Sequence, residues 1–279
     1  MKIKNVLMTA LLAACTIFTG CGGDNQSSDT NKPGDSAAPA ASNSKIVVGL
    51  DDEYPPMGFR DEKNEITGFD VDLAKEAAKR LGREVEFKAI DWSSKEAELK
   101  SGRIDVLWNG LDITPERQEN MLFSNPYMDN RQVVFVRHSD EQSSIMSEAD
   151  LAGLNVGTQS ASTAEEYINS NEQLKNSLGD FKTYGDFPTA FMDLENGRLD
   201  AIVCDEIVGR YSMSKNPGKF DALEVVIGPV SQFGIAFRKD DTALRNEIQR
   251  VFDEMVTDGT AAKISETWFG ADLIKKSNS

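Results

Sequence analysis

Two similar α/β lobes, each built on a mostly parallel sheet and joined by two crossover strands, are the architecture implied by this chain. Three observations carry that expectation. From Lys45 onward, short apolar runs alternate with stretches of helical period, the signature of βαβ units. The order strand, helix, strand, helix, Gly-Arg-x-Asp, strand occurs twice, Ser101-Gly-Arg-Ile-Asp-Val106 being answered by Asn196-Gly-Arg-Leu-Asp-Ala201. Two extended apolar segments, Val133 to Val136 and Phe233 to Phe237, flank the second occurrence and suit chain crossings out of and back into the first lobe.

The chain opens on Lys2 and Lys4, then an apolar stretch from Val6 to Phe18 that is too short for a comfortable membrane span and has the shape of a secretory leader. Phe18-Thr-Gly-Cys21 resembles a bacterial lipobox, so residues 1–20 are expected to be removed and Cys21 lipidated. Leu12-Ala-Ala-Cys15 is the better literal match, but cleavage there leaves apolar residues on the mature end. Residues 21–44 are rich in Gly, Ser, Asn, Asp, Ala and Pro, cannot bury enough surface to fold, and read as a tether.

In the first lobe, expected at 45–132 and 233–279, Ile46 to Leu50 is a short apolar strand. Phe69 to Leu81 repeats apolar residues near the 3.6 period and closes on Gly82. Val85 to Phe87 is a strand, Ser94 to Lys100 a helix, and Ile104 to Trp108 a buried strand followed by a polar turn at Asn109, Gly110 and Asp112. Thr114-Pro115 is a helix start, Thr suiting the cap and Pro the first position. In the second lobe, expected at 133–232, strands at Leu154 to Gly157, Phe181 to Tyr184 and Leu199 to Cys204 alternate with helices from Thr163 and Pro188. Helices at Leu244 to Thr257 and Lys263 to Trp268 are expected to pack back on the first lobe.

The formal net charge is −16, and the leader carries only Lys2 and Lys4, so the mature chain is more acidic still. Acidity of this size argues against nucleic acid and against a polybasic membrane patch. Cys204 is the one thiol of the globular part, which rules out an internal disulfide there. His138 is the only histidine, which rules out histidine triads and His-rich metal sites. No P-loop is present, and no cofactor is expected.

In open α/β sheets ligands bind beyond the carboxyl ends of the strands. The residues just after each expected strand form a coherent set: Asp51 and Tyr54, then Asn109, Gly110, Asp112 and Arg117, then Ser162 and Thr163, then Asp205. Arg117 lies in the first turn of a helix, where the macrodipole disfavours a cation, so an anion is its natural partner; pairing with Glu116 or Glu119 is the plain alternative. Ser162 or Thr163 caps the next helix, with Glu165 or Glu166 completing a capping box, and such a helix start favours an anion. Asp205 can accept from an ammonium. A carboxylate clamp beside an ammonium acceptor complements an α-amino acid.

Gly49-Leu-Asp51, Tyr54-x-Pro56, Gly68-Phe-Asp-Val-Asp-Leu73, Ile113-Thr-x-x-Arg117, Phe123-Ser-x-Pro-Tyr127, the two Gly-Arg-x-Asp segments with Asp205, and Asp258-Gly259 together resemble the extracytoplasmic solute-binding proteins of polar amino-acid ABC importers. The resemblance spans about Lys45 to Leu273. It implies a type II periplasmic-binding fold, a monomer, an amino-acid ligand and a membrane permease as partner. It also implies roles: Arg117, Ser162 and Thr163 on the α-carboxylate, and Asp205, Asp112 and the Asn109–Gly110 backbone around the ammonium. Tyr54 would stack on the side chain, with Asp51 near its tip. Two positions depart from the family pattern, Ala161 where Gly is usual and Asp112 where Ser or Thr is usual. Three aspartates facing one arginine favour a cationic ligand, with cystine and glutamine as alternatives. A dehydratase-like enzyme on the same scaffold and a sensory domain are the other readings.

Overall fold

Hydrogen bonding in the computed structural model, which describes residues 45–138 and 145–276, organises the chain around two larger sheets of matching order. The leader, Cys15, Cys21 and the tether lie outside the described residues. In the first sheet Val85–Ala89, Ile46–Leu50 and Val106–Asp112 run parallel, and Ser231–Arg238 lies antiparallel beside them, pairing in turn with Met121–Phe123 and Met128–Asn130. In the second sheet Asp180–Tyr184, Asn155–Gln159 and Ala201–Asp205 run parallel, Gln132–Arg137 is antiparallel to them, and Phe220–Val226 closes the edge. The two crossover segments are thus the antiparallel strands of the two sheets.

The repeated Gly-Arg-x-Asp punctuation has one physical job in both sheets. Asp105 accepts from the amide of Val47 at 3.0 Å, and its own amide donates to the Val47 carbonyl at 2.8 Å. Asp200 does the same to Asn155, at 2.9 and 2.8 Å. Each aspartate locks the start of the third parallel strand onto the first. The fit is repeated too: a Cβ on Gly49 or on Gly157 would lie 2.4 Å from Ile104 or Leu199 respectively.

Helix Phe69–Arg80 buries Phe69, Val71, Leu73, Ala74, Ala77 and Ala78, then ends at Leu81 with Gly82 at φ +64°. It packs against the C-terminal helices Thr242–Thr257 and Thr260–Phe269, through Phe69 on Phe269 and a Trp268 indole donating to Asp72. The sequence placed a turn at Asn109 to Asp112. The strand instead continues to Asp112, because Ser231–Arg238 pairs with it as far as Phe233 opposite Asp112. Gly110, at φ +56°, carries the distortion within that strand. A small antiparallel sheet (Glu53–Tyr54, Gly58–Arg60, Ile66–Thr67), helix Glu206–Lys215 and strand Phe220–Val226 carry no strong periodicity in the sequence. Among the described residues no helix is long and apolar enough to cross a membrane.

Candidate functional site

Arg117 is held by the turn that begins its helix. Thr114 caps Pro115–Asn120 and accepts from the Arg117 amide at 3.2 Å. The side chain is 3% exposed, so its charge faces protein rather than water. Nη1 donates to the Asp112 carbonyl at 3.1 Å and to Thr163 Oγ1 at 3.2 Å; Nη2 donates to Glu166 Oε1 at 2.8 Å and to the Ala161 carbonyl at 3.4 Å. The guanidinium therefore meets an anion, but from the helix Thr163–Ser170 that follows a strand of the second sheet: Glu166, neither Glu116 nor Glu119. Its Nε is buried without a hydrogen-bond partner.

Asp112 and Asp205 end the third parallel strand of their respective sheets and meet around the crossover segments. Asn130 Nδ2 donates to Asp112 Oδ1 at 3.0 Å and to Asp205 Oδ1 at 2.5 Å. Gln132 Nε2 reaches Asp205 at 2.7 Å, the Ser231 hydroxyl donates to Asp112 at 2.6 Å, and the Tyr54 hydroxyl donates to Asp205 at 2.6 Å. Burial pushes the Asp112 carboxyl up to about 6, helped by the Asp205 charge, and burial raises Asp205 as well. Two carboxylates out of water and this close resist joint ionisation, so a cation between them is favoured.

Tyr54 and Trp92 present nearly parallel rings, 10° apart with centroids at 6.4 Å. With Gly110, Asp112, Arg117, Gln159, Ser162, Thr163 and Asp205 they line a cavity of about 10 Å³. Asp51 and Asn109 stand behind that wall. Asn109 Oδ1 accepts from the Asp51 amide at 3.0 Å, and Asp51 Oδ2 accepts from Gln159 Nε2 at 2.6 Å. Burial, with the charges of Asp186 and Asp52 behind it, lifts the Asp51 carboxyl to about 6.

The third wall is a helix start. Ser162 caps Thr163–Ser170 and accepts from the Glu165 amide at 3.1 Å, while Glu165 reaches back to the amide of Ala161. Ala161 sits at φ +56°, the left-handed region in which a Cβ costs roughly 1–2 kcal/mol.

Several functional candidates escaped the sequence reading. Trp92 reads as core, yet it forms a cavity wall. Asn130, Gln132 and Ser231 sit where chain crosses between sheets, and only the fold brings them to the aspartates. Lys95 is 3% exposed and donates to the Ala161 carbonyl at 2.8 Å. Its signal was its spacing: Trp92 three residues before and Leu99 four after place it on a buried helical face. Lys95 is thus a second buried cation beside Arg117, sharing the Ala161 carbonyl with it, which a count of three aspartates against one arginine leaves out. The surroundings remain acidic, because Glu166 already engages Arg117. Among the described residues no cluster suits a metal ion.

The chain is 36% identical over 232 residues to the L-cystine-binding protein TcyJ of Escherichia coli strain K12, covering 82% of this chain and 84% of that protein. It is 33% identical over 233 residues to the ABC transporter arginine-binding protein 1 of the same strain, covering 82% and 93%. Among solved structures, a substrate-binding protein of an ABC uptake transporter from Streptococcus pneumoniae with bound histidine superposes with a TM-score of 0.79. It shares 34% identity and covers 85% of this chain and 96% of that one. Residues 46–271 match the family described as bacterial extracellular solute-binding proteins, family 3. With a two-sheet fold, a shared cavity at the strand ends and this length of sequence match, the chain belongs to that family.

Proposed function

We propose that this protein is the extracytoplasmic receptor of an ABC importer, binding a polar L-amino acid, cationic by preference, and delivering it to the membrane permease. One observation carries the reading: Arg117, on the helix that follows a strand of the first sheet, and Asp205, at the end of a strand of the second, line one cavity. Arg117, Ser162 and Thr163 take the α-carboxylate. Asp205, Asp112 and the Gly110 backbone take the α-ammonium, with Asn109 behind them. The ligand side chain lies between Tyr54 and Trp92, and Asp51 acts on its tip through Gln159.

A cavity of about 10 Å³ holds about one water. Admission of an amino acid therefore requires the lobes, 45–132 with 233–279 and 133–232, to part about the crossover segments. Contacts across the cleft then become the free energy that shifts the open–closed equilibrium. The role needs no chemistry, so the protein acts as a binding protein and a monomer rather than an enzyme. Lipid on Cys21 would hold it at the outer face of the cytoplasmic membrane. Similarity to a cystine-binding relative favours cystine as the second reading.

The test is a thermal-shift screen against the twenty amino acids, ornithine and cystine, followed by calorimetric titration of the best ligand into Arg117→Ala. Loss of about 2–5 kcal/mol is expected, because the variant leaves a desolvated carboxylate unpaired. Normal affinity would remove Arg117 from the site, and no response to any compound would remove amino acids from the proposal.

A further inference from the structure

Lys95 is a buried cation whose direct hydrogen-bond partners, among the described residues, are neutral. Its Nζ donates only to neutral groups, the carbonyls of Ala161 at 2.8 Å and Trp92 at 3.4 Å, and lies over the Trp92 ring at 5.0 Å from the centroid. Among the described residues no ion pair satisfies it. Arg117 Nη2 shares the same Ala161 carbonyl at 3.4 Å. Two positive charges thus converge on one neutral oxygen, presented by a residue held at φ +56°. Buried charges are tolerated when paired; Glu166 pairs with Arg117 at 2.8 Å, while Lys95 has no ion pair of its own among the described residues and still feels the Arg117 charge. The left-over hydrogen-bonding capacity lies on the same two side chains: the third Lys95 proton and the buried, unpartnered Arg117 Nε.

We propose that Lys95 is a second ligand-binding cation, which takes one carboxylate oxygen of the bound amino acid while Arg117 takes the other, and which does so only when the lobes meet at Ala161. This rests on the amino-acid reading of the cavity. Lys95 comes from the Lys95–Lys100 helix beside the first sheet, and Ala161 from the loop that follows the Asn155–Gln159 strand of the second. Its contact to Ala161 therefore forms as the cleft closes, and the ligand carboxylate is what relieves the repulsion between the two cations at that moment.

Burial, and then the Arg117 charge, bring the Lys95 ammonium down to about 8; Glu166, Glu96 and Glu165 act the other way. An anion bound beside it raises that value. Binding is therefore strongest while Lys95 carries its proton, and weakens as pH rises above about 8.

The experiment pairs a change in the protein with a change in the ligand. L-arginine and L-argininamide, which lacks the carboxylate charge, are titrated calorimetrically into the parent, Lys95→Met and Lys95→Arg proteins; where the parent prefers L-lysine or L-glutamine, that amino acid and its α-amide are used. Met keeps the stem packed on Trp92 without the charge. Lys95→Met should lose roughly ten- to hundredfold in affinity for the amino acid and far less for the amide. Lys95→Arg should recover part of the loss and flatten the decline of affinity between pH 8 and pH 9.5 relative to the parent, roughly as its higher proton affinity dictates. Equal losses for acid and amide, or a Lys95→Met protein with parental affinity and an unaltered pH profile, overturn the proposal while leaving the receptor reading intact. A parent that binds none of the amino acids overturns that reading first.

Discussion

Asp112→Asn is expected to make the ligand-free protein more stable and the receptor worse. Asp112 is raised from 3.8 to about 6 by burial and by the Asp205 charge. At 1.36 kcal/mol for each unit, keeping it ionised at neutral pH costs about 3 kcal/mol. The sign follows from the direction of the shift. A carboxyl with a raised value in the folded state contributes stability that is complete below its unfolded value and is lost as pH rises through its folded value. The cost of the aspartate is thus absent at pH 3.5 and fully felt above about pH 6. Asparagine has the same shape and keeps one oxygen to accept from Asn130 and Ser231. Its amide faces Gln132 Nε2, a contact of 3.5 Å in the parent, which offsets a fraction of the gain. A net gain of about 1–2 kcal/mol at pH 7.5 is expected, a rise in melting temperature of roughly 2–8 °C. The same variant should weaken binding of a cationic amino acid more than that of a neutral one. Thermal unfolding at pH 7.5 and pH 4, with and without ligand, reads both effects. A lower melting temperature at pH 7.5 with unchanged ligand preference would refute the view that the two aspartates store electrostatic cost for a cation.

Affinity for an amino acid should fall as pH drops below about 6, where Asp112 and Asp51 gain protons, by up to about tenfold per unit; calorimetry between pH 4.5 and pH 7.5 checks this, and a flat profile speaks against both. Gly110→Ala places a methyl 2.9 Å from the Tyr54 ring on a backbone at φ +56°, so a loss of at least about 1–2 kcal/mol in stability and a displaced Tyr54 are expected, read by denaturant unfolding and by ligand titration. Asp105→Ala and Asp200→Ala remove matching locks between parallel strands and should each cost about 1–3 kcal/mol with little change in intrinsic ligand preference; a clear difference between them would argue against equivalent roles.

Most of the architecture was open to reading because it rests on local signals. The 3.6-residue spacing of Phe69–Arg80, the cap at Thr114-Pro115 and the start at Ser162 are written in neighbouring residues, and each element appears close to its expected place. The turn at Asn109 was misplaced because strand length there is set by a partner, Ser231–Arg238, more than a hundred residues away. The placement of Lys95 and Trp92 at the site is not legible in the sequence for a related reason. Propensity places a residue on a helix, but what its buried side meets, a cavity for Trp92 and the Ala161 carbonyl for Lys95, depends on what lies opposite.

The sequence by itself determined the alternation of strands and helices, the repeat, the acidic balance, and the helix starts that carry Arg117 and Thr163, since backbone preference and hydrophobic period act over a few residues. Only the tertiary structure decided that Glu166 engages Arg117, that Asn130 joins Asp112 to Asp205, and that Lys95 stands beside the guanidinium. Those contacts link residues far apart in the chain. Their energies depend on burial and distance, which exist only once the two sheets have come together.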